Sequence, residues 1–338
     1  MTKQPSEKLR KKIKLKRPEI TESSINVYIT ALRMLYSQYV DGDETKLQQQ
    51  IKTKFLHNFD GIKKLLETCR TPNTCKTRLT AILVALDAET KNRDQKLIDR
   101  YQAYLKDVMV GVNKQIESQE LTRKESNNWI DFNDVKGITN KILEKINKND
   151  LWKKSKLSKS EYGLVQKYVL LRFYLAYPMR NNVADTKIVS LSEYQTLDDD
   201  VRKNANYLIR EGKKYIFKLN KFKNVKRIGV KSYDINPDIS RLLTKWFRIN
   251  NSQYMFTLND GRTPLSANGV TKIMNSIFSE FADGKKISTS MLRHIQISDD
   301  LKDEPSLAEQ KIKAEKTENK YQHSSSMNQT YRRINTKD

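Results

Sequence analysis

The chain is poor in the residues that build most cofactor and metal sites. It has two cysteines and three histidines in 338 residues. Cys69 and Cys75 stand six apart, and His57, the nearest histidine, is not at metal-ligand spacing, so no zinc finger or zinc ribbon is expected. Two cysteines are also too few for the disulfide framework of a small secreted domain, and they read as reduced thiols. No glycine-rich loop ends in Lys-Ser or Lys-Thr, which excludes a P-loop NTP-driven motor. No run nears the ~18 consecutive apolar residues that span a bilayer. Met1 to Pro18 is basic but has no apolar core or cleavage pattern, so a secretory signal is not expected either. These absences leave a protein of the cell interior, nucleus or cytoplasm, with no metal and no cofactor expected.

Acidic residues are the other shortage. Asp and Glu number 40 against 64 Lys and Arg, a formal charge of +24. Such a surplus on folded segments points to a polyanion partner, most simply nucleic acid. The 16 Tyr, 10 Phe and 3 Trp are spread along the whole chain, which excludes a disordered polymer. The length suits about two domains.

Residues 1–18 carry eight Lys or Arg and read as a basic arm. Helical periodicity then runs through Ile25, Tyr28, Leu32 and Leu35, through Phe59 to Leu66, and from Thr71-Pro72 through Leu79, Ile82 and Leu86. It ends in a helix bearing Leu97, Tyr101, Leu105 and Val108. Residues 19–112 are thus predicted as a helical domain, 113–128 as a linker, and 129–338 as a second domain. In the second, an apolar helix from about Ser160 is stopped by Pro178. Tyr207–Ile209, Tyr215–Phe217 and Arg227–Val230 are predicted to form a small antiparallel sheet of three strands, turning at Glu211-Gly212. Helices resume at Asn236-Pro237 and near Ser266. The fold class is mainly α with a small antiparallel β-sheet.

Four pieces of the chain carry groups suited to phosphate chemistry. Arg180 follows the helix-ending proline in Tyr177-Pro178-Met179-Arg180-Asn181-Asn182. The hairpin region is rich in lysine: Lys218, Lys221, Lys223 and Lys226, with Arg227. Leu292-Arg293-His294 lies on a predicted helix. Gln322-His323-Ser324-Ser325 precedes Tyr331. This ordered set resembles the tyrosine recombinases, or phage-type integrases, and in style those of large eukaryotic DNA viruses and virophages. The layout covers the whole chain, and SSINVYITALRMLY and TPNTCKTRLTAIL look like that family's core-binding domain. The resemblance implies a two-domain clamp around double-stranded DNA, assembly as a homo-tetramer, and strand cleavage and rejoining through a 3′-phosphotyrosyl link without ATP or metal.

By that resemblance Arg180 and Arg293 are the catalytic arginines, His323 is a further donor to the phosphate, and Tyr331 is the nucleophile. The residue types suit the task. Two guanidinium groups stay charged and grip phosphate oxygens with paired donors, while a phenol near pKa 10 needs such a cationic nest to ionise. Lys221 is the first choice for the general acid that protonates the leaving oxygen, and Lys223 the second. Lys218, Lys223, Lys226 and Arg227 are the expected DNA contacts, although a lysine-rich ribbon that only touches phosphates would look the same.

Three features depart from the family's pattern. Ser290 stands where His or Lys is usual, Val183 stands where an acid is expected (Asp185 being the nearest substitute), and few residues follow Tyr331. The rival readings are a type IB topoisomerase, a DNA-binding protein without catalysis descended from an integrase, and a metal-dependent transposase drawing on Asp131, Asp134 or Asp185.

Overall fold

The computed structural model describes residues 7–40, 53–89, 93–117, 120–303 and 327. Contacts divide the chain into two compact units, Met1–Ser118 and Gln119–Asp338.

The first unit is helical. It comprises α1 (Glu7–Lys16), α2 (Glu22–Tyr39), a 3-10 turn (Thr53–His57), α3 (Phe59–Glu67), α4 (Pro72–Asp87) and α5 (Gln95–Glu117). Thr21 and Thr71 cap α2 and α4 by accepting the backbone N–H three residues on, and Pro72 occupies the first turn of α4, where its missing donor costs nothing. α4 lies at the centre, packed on α1, α2, α3 and α5. Its Leu79, Ile82 and Leu86 meet Ile25, Ile29 and Leu32 of α2 and Leu97 and Tyr101 of α5. The basic arm is a correction: residues 7–16 form α1, whose Leu9 and Ile13, four residues apart on one face, are buried in this core. Six cations among these ten residues hid that apolar stripe.

The second unit is built around α8 (Lys159–Ala176), whose start is fixed by a capping box between Ser158 and Glu161. Val165, Val169, Leu170, Leu171, Phe173 and Tyr174 bury it on nearly all sides. Against it pack α7 (Phe132–Lys148), α12 (Pro237–Ile249) and α13 (Ala267–Phe281), and α14 (Thr289–Asp300) rests on α7 and α13. The stretch 113–128, expected as a linker, holds the end of α5 and a capped helix, α6 (Arg123–Asn128).

The sheet differs from expectation. It has four strands in the order β1 (Lys187–Ser190), β2 (Tyr207–Glu211), β3 (Lys214–Leu219), β4 (Lys231–Asp234), and it is mixed: β1 runs parallel to β2, and the other pairs are antiparallel. The short helices α9 (Leu191–Thr196) and α10 (Asp199–Lys203) connect β1 to β2. The hairpin turns at Gly212, whose φ of 59° suits glycine. Arg227–Val230, expected as the third strand, instead contains the end of α11 (Val225–Ile228) and Gly229 at φ 79°, and the strand begins only at Lys231.

Candidate functional site

Arg180 lies in a tight turn just beyond α8. Met179 before it and Val183 after it are buried in the core, so the turn is held at both ends. Within it the Asn182 N–H donates to the Arg180 carbonyl at 2.6 Å, and the buried Tyr174 hydroxyl donates to the same oxygen at 3.0 Å. Burial pushes the Tyr174 hydroxyl well above the ordinary phenol range, with the positive charge of Arg293 partly opposing that rise. Tyr174 therefore stays protonated, a donor and not a nucleophile. It holds the Arg180 carbonyl from within the core, where the charge of Arg293 acts on it.

Arg293 sits on α14 with only 2% of its surface exposed, between the core residues Leu292 and Ile295. Two hydrogen bonds fasten α14 to the α8 end of the molecule. Near its start, Thr289 Oγ1 donates to Asn181 Oδ1 at 2.5 Å; farther along, Gln296 Nε2 donates to the Leu175 carbonyl at 3.2 Å. Asn181 Nδ2 in turn donates to the Ala267 carbonyl at 2.6 Å and to Thr271 Oγ1 at 2.8 Å in the first turn of α13. One carboxamide thus joins the residue after Arg180 to the helix that carries Arg293.

A second carboxamide, this one buried, joins the same turn to the sheet. Asn206, just before β2, donates from Nδ2 to the Asn182 and Lys221 carbonyls, both at 3.0 Å. Its Oδ1 accepts the N–H groups of Asn220 (3.1 Å) and Lys221 (2.8 Å). All four bonding positions of the side chain are used. The backbone of Lys221 is thereby fixed next to the Arg180 turn, with its side chain exposed.

No family model matches the chain, and no curated protein matches it. Nine chains of solved structures do. Among them is one described as the crystal structure of XerA recombinase, at 10% identity and a TM-score of 0.38, covering 97% of this chain and 94% of that one.

His323 and Tyr331 lie outside the described residues. Arg180, Arg293 and Lys221 belong to segments that adjoin through Asn181, Asn206 and Tyr174. Ser290 is exposed in the first turn of α14, one turn before Arg293. His294 points elsewhere: its Nδ1 is 3.6 Å from Glu125 Oε1 of α6. Lys218 is half-buried on β3, while Lys223, Lys226 and Arg227 are exposed in the turn and α11 that follow. Residues 212–231 hold eight Lys or Arg and no acid. Asp185 is exposed at φ 51° before β1, while Asp131 stands at the N-cap position of α7, its side chain making no capping hydrogen bond, and Asp134 lies in the first turn. Among the described residues no three His, Cys, Asp or Glu are grouped to hold a metal ion, so the transposase triad is not assembled.

Sequence reasoning missed Asn181, Asn206, Tyr174 and Thr289. The repeated asparagine in Arg180-Asn181-Asn182 was the only visible sign, because a buried asparagine next to an apolar strand has no spacing rule of its own.

Proposed function

We propose that the protein is a DNA recombinase or integrase of the tyrosine type, cutting and rejoining strands through a 3′-phosphotyrosyl intermediate. The observation that carries this reading is the double clasp of Asn181 and Asn206, which links the turn of Arg180, the helix of Arg293 and the turn of Lys221. In a chain of net charge +24, two arginines and a lysine on linked segments suit a scissile phosphate. The guanidinium groups neutralise charge that grows on the non-bridging oxygens. His323 adds a donor. Tyr331 attacks phosphorus, its phenol proton passing to water; as the P–O bond to tyrosine forms the P–O5′ bond breaks, and Lys221 protonates the departing 5′-oxygen. The energy of the broken diester is kept in the protein–DNA link, so resealing needs no nucleotide. Ser290 supplies a hydrogen bond where a charged residue is usual. Lys218, Lys223, Lys226 and Arg227 contact the duplex, with residues 19–112 on its other face, and four copies complete an exchange.

Covalent trapping tests the proposal. The protein is mixed with nicked duplexes in EDTA, and SDS removes whatever is only bound. An adduct formed by the wild type and absent in Tyr331→Phe is the expected result. Tight binding with no adduct from either chain would favour a DNA-binding protein without catalysis, and cleavage only with added divalent metal would favour the transposase.

A further inference from the structure

A cleft of about 340 Å³ opens in the second unit between α7, the last turns of α8 and the start of α12. Small-molecule pockets are usually ~300–1,000 Å³, so the cleft is large enough for a compact ligand. Phe132 and Lys136 reach it from α7, four residues apart and so on one helix face; Arg172, Leu175 and Ala176 do the same from α8. Ile239 comes from α12. Phe132, Leu175, Ala176 and Ile239 pack with the core of the unit, which gives the cleft a fixed apolar floor.

Arg172 is the anomaly. It is half-buried on α8, between the fully buried Leu171 and Phe173. Among the described residues its guanidinium has no hydrogen bond, ion pair or ring contact. A cation partly withdrawn from water is ordinarily paired, because desolvation penalises a lone charge. The neighbouring polar groups are engaged elsewhere: Thr139 Oγ1 donates to the Val135 carbonyl at 2.9 Å, and Asn236 Oδ1 accepts the Ile239 N–H at 2.9 Å. Asp238, the one acid among the described lining residues, is exposed and paired with Arg241. Lys136 supplies a second cation, its ammonium standing over the Phe132 ring at 4.5 Å from the centroid.

We propose that this cleft binds a small organic anion, a phosphate monoester or a carboxylate carried on a compact apolar body. The Arg172 fork takes two anion oxygens in parallel hydrogen bonds, and Lys136 adds charge from the exposed side. The apolar body covers Leu175, Ala176 and Ile239. Such a ligand pairs the guanidinium and removes apolar surface from water in one step. None of the described lining residues has a part in the proposed strand joining, so the site stands independently of that reading.

Calorimetric titration of the full chain with phenyl phosphate and with benzoate tests the proposal, at physiological salt to screen the general positive charge. Saturation at one site per chain is expected, and the tighter of the two probes names the headgroup. Phenol, which lacks the charge, and inorganic phosphate, which lacks the ring, should each bind at least about tenfold more weakly. Arg172→Gln should weaken binding at least about tenfold and Lys136→Gln severalfold. Lys153→Gln, the same loss of charge on an exposed turn, should leave it unchanged. In the wild type, phenylglyoxal should modify Arg172 and the bound anion should protect it, read by peptide mass mapping. Failure of both anions to saturate would overturn the proposal. So would unaltered affinity in Arg172→Gln, which would seat the anion elsewhere, or protection of Arg172 by duplex DNA but by neither small anion. The protection measurement decides the matter if Arg172→Gln does not fold.

Discussion

Asn206 shows how much one buried side chain can organise. Its exposure is 6%, and its four hydrogen bonds hold the backbone of residues 182, 220 and 221 together. Asn206→Ala takes a partner from the Lys221 carbonyl and from the Asn220 and Lys221 N–H groups, while the Asn182 carbonyl keeps the Thr186 hydroxyl at 3.2 Å. Each unmet buried group costs about 1–3 kcal/mol, partly recovered by water. A net loss of about 2–4 kcal/mol is expected in urea denaturation. Strand joining should fall further than DNA affinity, because the Lys221 and Arg180 turns are no longer tied. Unchanged joining in a folded variant would remove the clasp from the mechanism. Arg293→Lys asks a different question. It keeps the charge but loses the planar fork, and on the proposed chemistry adduct formation should drop by about 10²–10³-fold. DNA affinity measured by gel shift should change little. Arg180 and Arg293 stand out in the sequence because charged residues in a fixed order are rare. The asparagines were not, since only the folded chain reveals what a carboxamide spans.

At the scale of elements, helices declared themselves through their ends. Thr71-Pro72, Asn236-Pro237 and Ser266 each carry a side chain that accepts an early backbone N–H, and each marks an observed start; the helix expected from about Ser160 begins at Lys159, behind a Ser158 cap that the apolar pattern did not show. The sheet was half legible. β2 and β3 hold buried runs, but β4 reads Lys-Ser-Tyr-Asp and β1 Lys-Ile-Val-Ser, too short and too polar to show a period. Gly229 decides where β4 begins. Its φ of 79° with ψ of 178° is a conformation that essentially only glycine adopts, and a Cβ there would meet nothing within 4 Å. Gly229→Ala is therefore a pure backbone test: a loss of about 1–3 kcal/mol in urea is expected from strain alone. A loss near zero would mean that α11 and β4 re-form with another phasing.

The whole molecule is positive, and both units share the surplus. DNA affinity should fall steeply between low and physiological salt, the logarithm of the constant declining linearly with the logarithm of salt, as release of counterions from several phosphates requires. A flat response would count against extended contact along the lysine-rich ribbon. Charge was readable from composition, yet it misled at residues 1–18, where the density of lysine concealed Leu9 and Ile13. The alkaline limit of stability comes from protons on uncharged groups. In the first unit, burial lifts the Cys75 thiol from 9.0 to about 11 and the Tyr104 hydroxyl from 10.0 to about 12, and it also raises Tyr101. A raised pKa in the folded state means that the native chain keeps protons the unfolded chain releases. Their contribution is whole below about pH 9 and is lost as pH climbs through 11 and 12. Under reducing conditions the urea midpoint should hold steady up to about pH 9 and then decline. In Cys75→Ser that decline should start nearer pH 10, where only phenols remain to titrate. A wild-type midpoint that stays level to pH 11 would mean that Cys75 titrates alike folded and unfolded, and that its thiol is not sealed beneath the α3–α4 turn.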